Sequence, residues 1–246
     1  MSAPWTPPGL MPGMTIALSS TGPTGSSGGS LMASPIYWPD AARIIGSEYA
    51  GENLFDQVAS SEDFEDLLAL ADLTSPALRA AQGEIDLVPL NDRLYGPGTG
   101  LVMSAFSWPG HESRFSDGTF GVFYAGGTIE TAIAETTYHQ ARFLVGLPPT
   151  VIDKTLIFIT VHETLVDVRS PHPAPPGIYD PLDYRLAQAF GATLRQQQAL
   201  GIVYDSVRDM PTGECVAILR PPALVPPVRV HQAVEYHWDG HDIAVR

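Results

Sequence analysis

Apolar residues along the chain change spacing several times, and each change marks a predicted element. Residues 54–81 read as helical. Within them Phe64, Leu67, Leu68 and Ala71 recur at i, i+3, i+4 and i+7 with acids opposite, the stripe of an amphipathic helix. Ser75-Pro76 opens a further short helix with proline at its first position. Residues 101–106 and 119–124 read as strands, and the β-branched, apolar run 155–164 as a buried one. The longest helical pattern spans 128–146, with Thr128 as N-cap, Glu130 in the first turn and Gly146 at the end, before Pro148-Pro149. Asp180-Pro181 opens another helix that runs to about residue 200, with Gly201 at its C′ position. Residues 202–204 and 214–219 are predicted as closing strands. The order suggests an α+β domain and not strict β-α-β alternation.

Composition sets the boundaries of this domain. Residues 1–34 are rich in Ser, Thr, Gly and Pro, with TGPTGSSGGS at 21–30, and offer too little apolar surface to offset their ordering entropy. A disordered tail over 1–34 and a catalytic domain over 35–246 are expected. Met11, Met14 and Met32 are alternative starts, so residues 1–31 need not all be translated. The 44% hydrophobic content is enough for a sizeable core. A net charge of −14, with 13 Lys+Arg and no basic cluster, speaks against a nucleic-acid surface and against anionic lipid. An anionic small substrate remains compatible, because one well-placed Arg in a cleft outweighs a diffuse negative surface. Cys215 is the only cysteine, which fits a reducing cytoplasm and leaves no disulfide framework and no Cys-based zinc site. The first basic residue is Arg43, so a signal peptide is not expected, and no run is long enough for a membrane helix.

Familiar catalytic signatures are absent: there is no GxSxG, no HExxH and no Walker loop. Gly96-Pro97-Gly98-Thr99-Gly100 imitates a phosphate loop, but Pro97 removes one N–H and a plain loop is expected. His237, Asp239, His241 and Asp242 crowd together near the C-terminus. Asp239-Gly240 favours a turn, so the two histidines do not share a helical face, and a turn anchored by Trp238 is expected in place of a metal site.

The informative block runs from Arg93 to Glu135, with a second piece around Ser206. Arg93 and Arg114 flank predicted strands and could clamp a diphosphate. Tyr124 ends a predicted strand just before the long helix, where a ring could reach into a cleft. Glu135 lies in that helix with Thr131, Tyr138, His139 and Arg142 on its face. Ser206 ends a buried-looking strand. Together these residue types suit N-glycosidic cleavage of a dinucleotide: Arg for pyrophosphate, an aromatic for the leaving base, a carboxylate for oxocarbenium charge on the ribose. A plain structural alternative stands beside this one. Glu135 could be a solvated helix acid, Tyr124 a core aromatic, Ser206 a turn hydroxyl and the arginines surface ion pairs.

Three pieces of this block resemble the RES domain, named for its Arg, Glu and Ser and found in bacterial RES–Xre toxin–antitoxin systems. They are Arg93, the stretch SRFSDGTFGVFYAGGTIETAIAE at 113–135, and GIVYDSVR at 201–208. The spacings are 31 residues from Arg93 to Tyr124 and 11 from Tyr124 to Glu135. The resemblance covers about 38–240. Phe115 stands where Trp is commoner, and Leu94 where some members carry an aromatic. The resemblance implies a mixed β-sheet core with flanking helices, like the ADP-ribosyltransferase toxins. It implies degradation of NAD by phosphorolysis or hydrolysis with release of nicotinamide. NAD would be substrate, inorganic phosphate a candidate co-substrate, and no metal or resident cofactor is required. Arg93 and Arg114 would hold the NAD phosphates, and Tyr124 would stack on the nicotinamide or its ribose. Glu135 would bond the ribose hydroxyls and favour the oxocarbenium-like state, and Ser206 would orient the ribose or the acceptor. A cognate helix-turn-helix (Xre-type) antitoxin would block the site, and a homodimer is left open. Mono-ADP-ribosylation of a host protein is the alternative activity. An inactive partner-binding scaffold is a third reading, disfavoured by the intact Arg/Tyr/Glu/Ser set.

Overall fold

The computed structural model describes residues 31–47 and 83–246. Ten regular elements follow one another there: β1 (Met32–Gly46), α1 (Gly100–Ser107), β2 (Phe123–Gly126), α2 (Ile129–Leu144), β3 (Thr150–Asp167), α3 (Arg185–Gln196), β4 (Gly201–Asp205), β5 (Glu214–Ile218), β6 (Leu224–Trp238) and β7 (Ile243–Val245). They form the expected α+β architecture, a mixed seven-stranded sheet in the order β1-β2-β5-β4-β3-β6-β7. All pairings are antiparallel except β3–β4. β1 pairs with β3 along most of its length and with β2 at Ala42–Gly126. The strands β1, β2, β5, β4 and β3 therefore close a circuit, which removes exposed edges from the middle of the fold.

The circuit has an apolar cluster on each face. On one face Phe123, Ala125, Ile157, Ile159, Val203, Val216 and Ile218 meet Leu101, Val102, Met103 and Phe106 of α1. On the other, α3 places Ala187, Phe190 and Leu194 over Ile202, Tyr204, Cys215 and Ala217. Ala132 of α2 packs beside them on Ala42, Ile44, Leu156, Val234 and Tyr236. α3 thus covers β4 and β5, whereas α2 covers β1, β2 and β6.

Several elements differ from the sequence expectation. Residues 101–106 form α1 and not a strand. A short run apolar on nearly every side carries no period that separates the two, and Gly100, Leu101, Val102, Met103 and Phe106 are all buried. The glycine-rich loop before it consequently opens a helix. Gly98 has φ +78°, and a Cβ there would lie 2.7 Å from that of Val228, so its backbone rests directly on β6. The strand expected over 119–124 begins only at Phe123. α3 starts at Arg185, because the Asp180 carboxylate first accepts the backbone N–H groups of Leu182 and Asp183 in a turn. The left-handed residue after α3 is Gln198 (φ 62°) and not Gly201, which begins β4.

Residues 32–34, expected in the tail, belong to β1. Met32, Ala33 and Ser34 pair with Asp167, Val166 and Leu165, and Leu31 is buried. Backbone pairing with β3 supplies the order that side-chain composition did not suggest. Residues 1–30 and the helices expected over 54–81 lie outside the described residues. α2 matches its prediction, with the Thr128 hydroxyl accepting the Thr131 N–H at 3.1 Å. The C-terminal turn is also as expected. Asp239 accepts from His241 and Asp242, and the buried Trp238 indole donates to the Leu147 carbonyl.

Candidate active site

Glu135 and Ser206 meet between α2 and the end of β4. The Ser206 hydroxyl donates to Glu135 Oε1 at 2.6 Å and accepts the backbone N–H groups of Arg208 and Asp209 at 3.1 and 3.0 Å. Ser206 is fully buried, and its own N–H is closed on the Gly213 carbonyl. The turn after β4 therefore fixes the hydroxyl, and the hydroxyl fixes one carboxylate oxygen. Thr131, one helical turn before Glu135, donates to Asp209 at 2.7 Å and ties the same turn to α2. Among the described residues nothing donates to Glu135 Oε2. Cys215 lies beside the pair, Sγ 4.0 Å from Oε1, and burial first and then the Glu135 charge push its thiol up. Cys215 thus stays a thiol.

Tyr124 and Arg114 hold the adjacent wall. The Tyr124 hydroxyl donates to Ser113 Oγ at 2.9 Å and accepts the Phe115 N–H at 3.0 Å. Burial pushes this phenol up to about 12, so it stays neutral. Phe115 is fully buried, edge-on to Tyr204 at 5.1 Å and to Phe190 at 6.5 Å. A Cβ on Gly191 would come within 2.0 Å of the Phe115 carbonyl oxygen, so only glycine lets α3 approach this loop. The replacement of a commoner Trp by Phe115 leaves the anchor intact. Arg114, next to it, donates through Nη1 to the carbonyls of Ile178 and Asp180 and stacks on Tyr184 at 4.7 Å. The Tyr204 hydroxyl is the common neighbour: burial first, then Cys215, Glu135 and Tyr124 push it well up, with Arg114 opposing.

Of the five residues expected from the sequence, the structure brings four, Arg114, Tyr124, Glu135 and Ser206, into one neighbourhood. Arg93 is held elsewhere, on the 85–93 segment beside α1. Its Nε donates to the Val88 carbonyl at 3.0 Å and its Nη2 to that of Ile85, and it pairs with Asp86 at 3.6 Å. The preceding residue, Asp92, is locked by both prongs of Arg220 at 2.7 and 2.8 Å.

Sequence reasoning did not assign Tyr138, Arg142, Tyr184, Tyr204 or Arg208 to the site. Two signals for them existed. Tyr138 and Arg142 follow Glu135 at i+3 and i+7, and Arg208 closes GIVYDSVR. The Arg208 guanidinium lies 3.4 Å from the Tyr138 ring centre, with Arg142 at 5.8 Å from the same ring. Packing first, and then the charges of Arg208, Arg114 and Arg142, lower the His139 pKa to about 4, so its imidazole is neutral at pH 7.

Two broad depressions lie away from these residues. One of about 450 Å³ sits at the N-terminal end of α2, lined by Asp40, Thr128, Phe158 and Arg229, where Arg229 is already paired with Asp40. The other, of about 350 Å³, lies between Phe106, Phe120 and Arg195. Neither gathers a carboxylate, a hydroxyl and unpaired cations. Among the described residues no group of three or more His, Cys, Asp or Glu could hold a metal ion, and no helix is long and apolar enough to cross a membrane.

No curated protein matches the chain. A solved structure, the crystal structure of the M. tuberculosis MbcT–MbcA toxin–antitoxin complex, is similar at 12% sequence identity and a TM-score of 0.37, over 52% of this chain and 72% of that one. A family model of the RES domain matches residues 92–239, a span that contains Arg93, Arg114, Tyr124, Glu135 and Ser206. On that match, the chain belongs to the RES domain family.

Proposed function

We propose that the protein cleaves the nicotinamide–ribose bond of NAD at the Glu135–Ser206 pair and is the toxin of a toxin–antitoxin system. One observation carries this reading: a fully buried hydroxyl fixes Glu135 Oε1 at 2.6 Å and leaves Oε2 for the ribose. The C1′–N bond breaks with its electron pair going to the pyridinium nitrogen, so nicotinamide leaves as a neutral base and needs no general acid. Positive charge develops on the ribose, and the Glu135 carboxylate stabilises it while accepting from the ribose hydroxyls. Phosphate or water then adds an oxygen to C1′, with water's proton passing to solvent. Tyr124 packs against the nicotinamide ribose and keeps the Arg114 loop in place. Arg114, joined by Arg93 as the family resemblance implies, attracts the NAD phosphates.

The rim of the site supports a protein partner that covers it. Leu182, Leu186 and Met210 are 72, 60 and 69% exposed, and Pro181 between them accepts from Arg208. An antitoxin of the helix-turn-helix type would bury this apolar rim and shut the cleft. The test of the enzymatic reading is to mix the purified full chain with NAD, with and without inorganic phosphate, and identify the products by mass spectrometry. Free nicotinamide with a phosphorylated ADP-ribose, or with ADP-ribose when phosphate is absent, is expected. Transfer of ADP-ribose to added host protein would instead select the transferase alternative, and intact NAD would overturn the proposal.

A further inference from the structure

Three guanidiniums crowd the outer end of the site, and none of them is in an ion pair among the described residues. This is notable in a chain of net charge −14. Arg114 bonds two carbonyls and stacks on the Tyr184 ring, which leaves its charge unmatched. Arg142 is exposed, and its contact among the described residues is the Tyr138 ring beneath it. Arg208 stacks on the same ring and donates through Nη2 to the Pro181 carbonyl, while its Nε is buried with no partner. The Tyr184 hydroxyl is a second buried polar atom without a partner in this neighbourhood. Buried donors are normally satisfied, so each orphan needs an explanation, and among the described residues no side chain supplies one.

Helical spacing sets the distance to the chemistry. Tyr138, His139 and Arg142 follow Glu135 at three, four and seven residues on one stripe of α2, with a rise of roughly 1.5 Å per residue. A group held between Arg142 and Arg208 therefore sits about one to two helical turns from the carboxylate. The neutral His139 adds a hydrogen-bonding nitrogen there and no further repulsive charge. A single carboxylate satisfies one guanidinium fork, whereas a phosphate has oxygens enough for both.

We propose that Arg142 and Arg208, on either approach to the Tyr138 ring with His139 beside them, form a subsite for a phosphate group of the substrate or co-substrate. The inference rests on the NAD reading only for the source of that group, which is either free inorganic phosphate as acceptor or the diphosphate of the dinucleotide. The binding test needs no turnover. Inorganic phosphate and inorganic pyrophosphate are titrated into the full chain by calorimetry, for the wild type, Arg142→Gln and Arg208→Gln. Saturable binding that weakens at least fivefold in each folded variant is expected. Arg142 is exposed, so Arg142→Gln decides the matter if Arg208→Gln fails to fold. Wild-type affinity in folded Arg142→Gln, or no saturable binding of either anion to the wild type, would overturn the subsite. Steady-state kinetics then separate the sources. A raised KM for phosphate at unchanged KM for NAD identifies the acceptor, and a raised KM for NAD identifies the dinucleotide. If NAD is not consumed at all, the reading under Proposed function fails while the calorimetric result still stands or falls by itself.

Discussion

Arg169 and Arg220 meet carboxylates with both prongs of their guanidiniums, whereas Arg114, Arg142 and Arg208 meet carbonyls and aromatic rings. Arg169 joins the fully buried Asp167 through Nε and Nη2 at 3.0 and 2.7 Å and reaches Glu214 with Nη1 at 2.9 Å. Arg220 closes on Asp92 in the same two-pronged way. Such pairs join β3 to β5 and the 85–93 segment to the end of β5, and their charges cancel where they stand. The second group leaves its charge uncancelled around Glu135 and Tyr138. The difference teaches where to look for a ligand. Matched ions hold chain segments together, and Arg114, Arg142 and Arg208 have no carboxylate partner among the described residues, which makes them candidates for an anionic ligand.

The largest effect on stability is expected on the matched side. Asp167→Ala leaves Arg169 without its main partner and should destabilise the fold by about 3–5 kcal/mol, read as a shift of the denaturant midpoint. A folded variant of near wild-type stability would break the comparison. Arg93→Ala falls between the two groups, because the Arg93 guanidinium bonds two carbonyls and also pairs with the exposed Asp86. The Val88 carbonyl loses this donor while the Ile85 carbonyl keeps the Val88 N–H, at a cost of roughly 1–3 kcal/mol, and KM for NAD should rise if Arg93 also meets the dinucleotide. A rise in KM at unchanged melting temperature would move Arg93 to the ligand-binding side. The smallest effect belongs to Arg142→Gln, whose stability should stay within about 0.5 kcal/mol of wild type. A marked loss there would show that the unmatched arginines are structural too.

Acid sharpens the same contrast. Burial pushes the Asp167 carboxyl up, but the bonds from Arg169 and the Ser34 hydroxyl outweigh it and hold the group below its ordinary value of 3.8. A depressed folded value means that the stabilisation is complete above that ordinary value and disappears as pH falls through the folded one. The stability gap between wild type and Asp167→Asn should therefore stay constant from pH 7 down to about 4 and narrow only below it. Urea titrations at pH 7, 5, 4 and 3 measure this, and a gap that closes by pH 5 would contradict the assignment.

Legibility in the sequence followed local chemistry. Thr128 announced α2 because an N-cap and a long amphipathic period are contained in a single segment. β3 was visible as a β-branched run, but its full length was not. β1 and β6 were missed. Both carry prolines, Pro35 and Pro39 in β1 and Pro226-Pro227 in β6, which donate nothing to a ladder. Pro39 sits at the register shift between Trp38 and Ala41 in β1 and Pro226-Pro227 at the shift opposite Phe158–Thr160 in β6, while Pro35 pairs in register with Thr164. Only the partner strand reveals such a bulge. At the site, Glu135, Ser206, Tyr124 and Arg114 were legible because their motifs are short and ordered along the chain. The arginine stack on Tyr138 was not, because Arg208 reaches α2 from 70 residues away and no local period records that meeting.

The central claim is that the carboxylate fixed by Ser206 acts on the ribose of NAD, and the steady-state kcat of Glu135→Gln tests it most directly. The substitution keeps the size and an oxygen for the Ser206 hydroxyl and removes the charge. With an unchanged melting temperature, kcat for NAD should fall on the order of 10² to 10³ fold while KM changes little. A folded Glu135→Gln variant that consumes NAD at the wild-type rate would contradict the account.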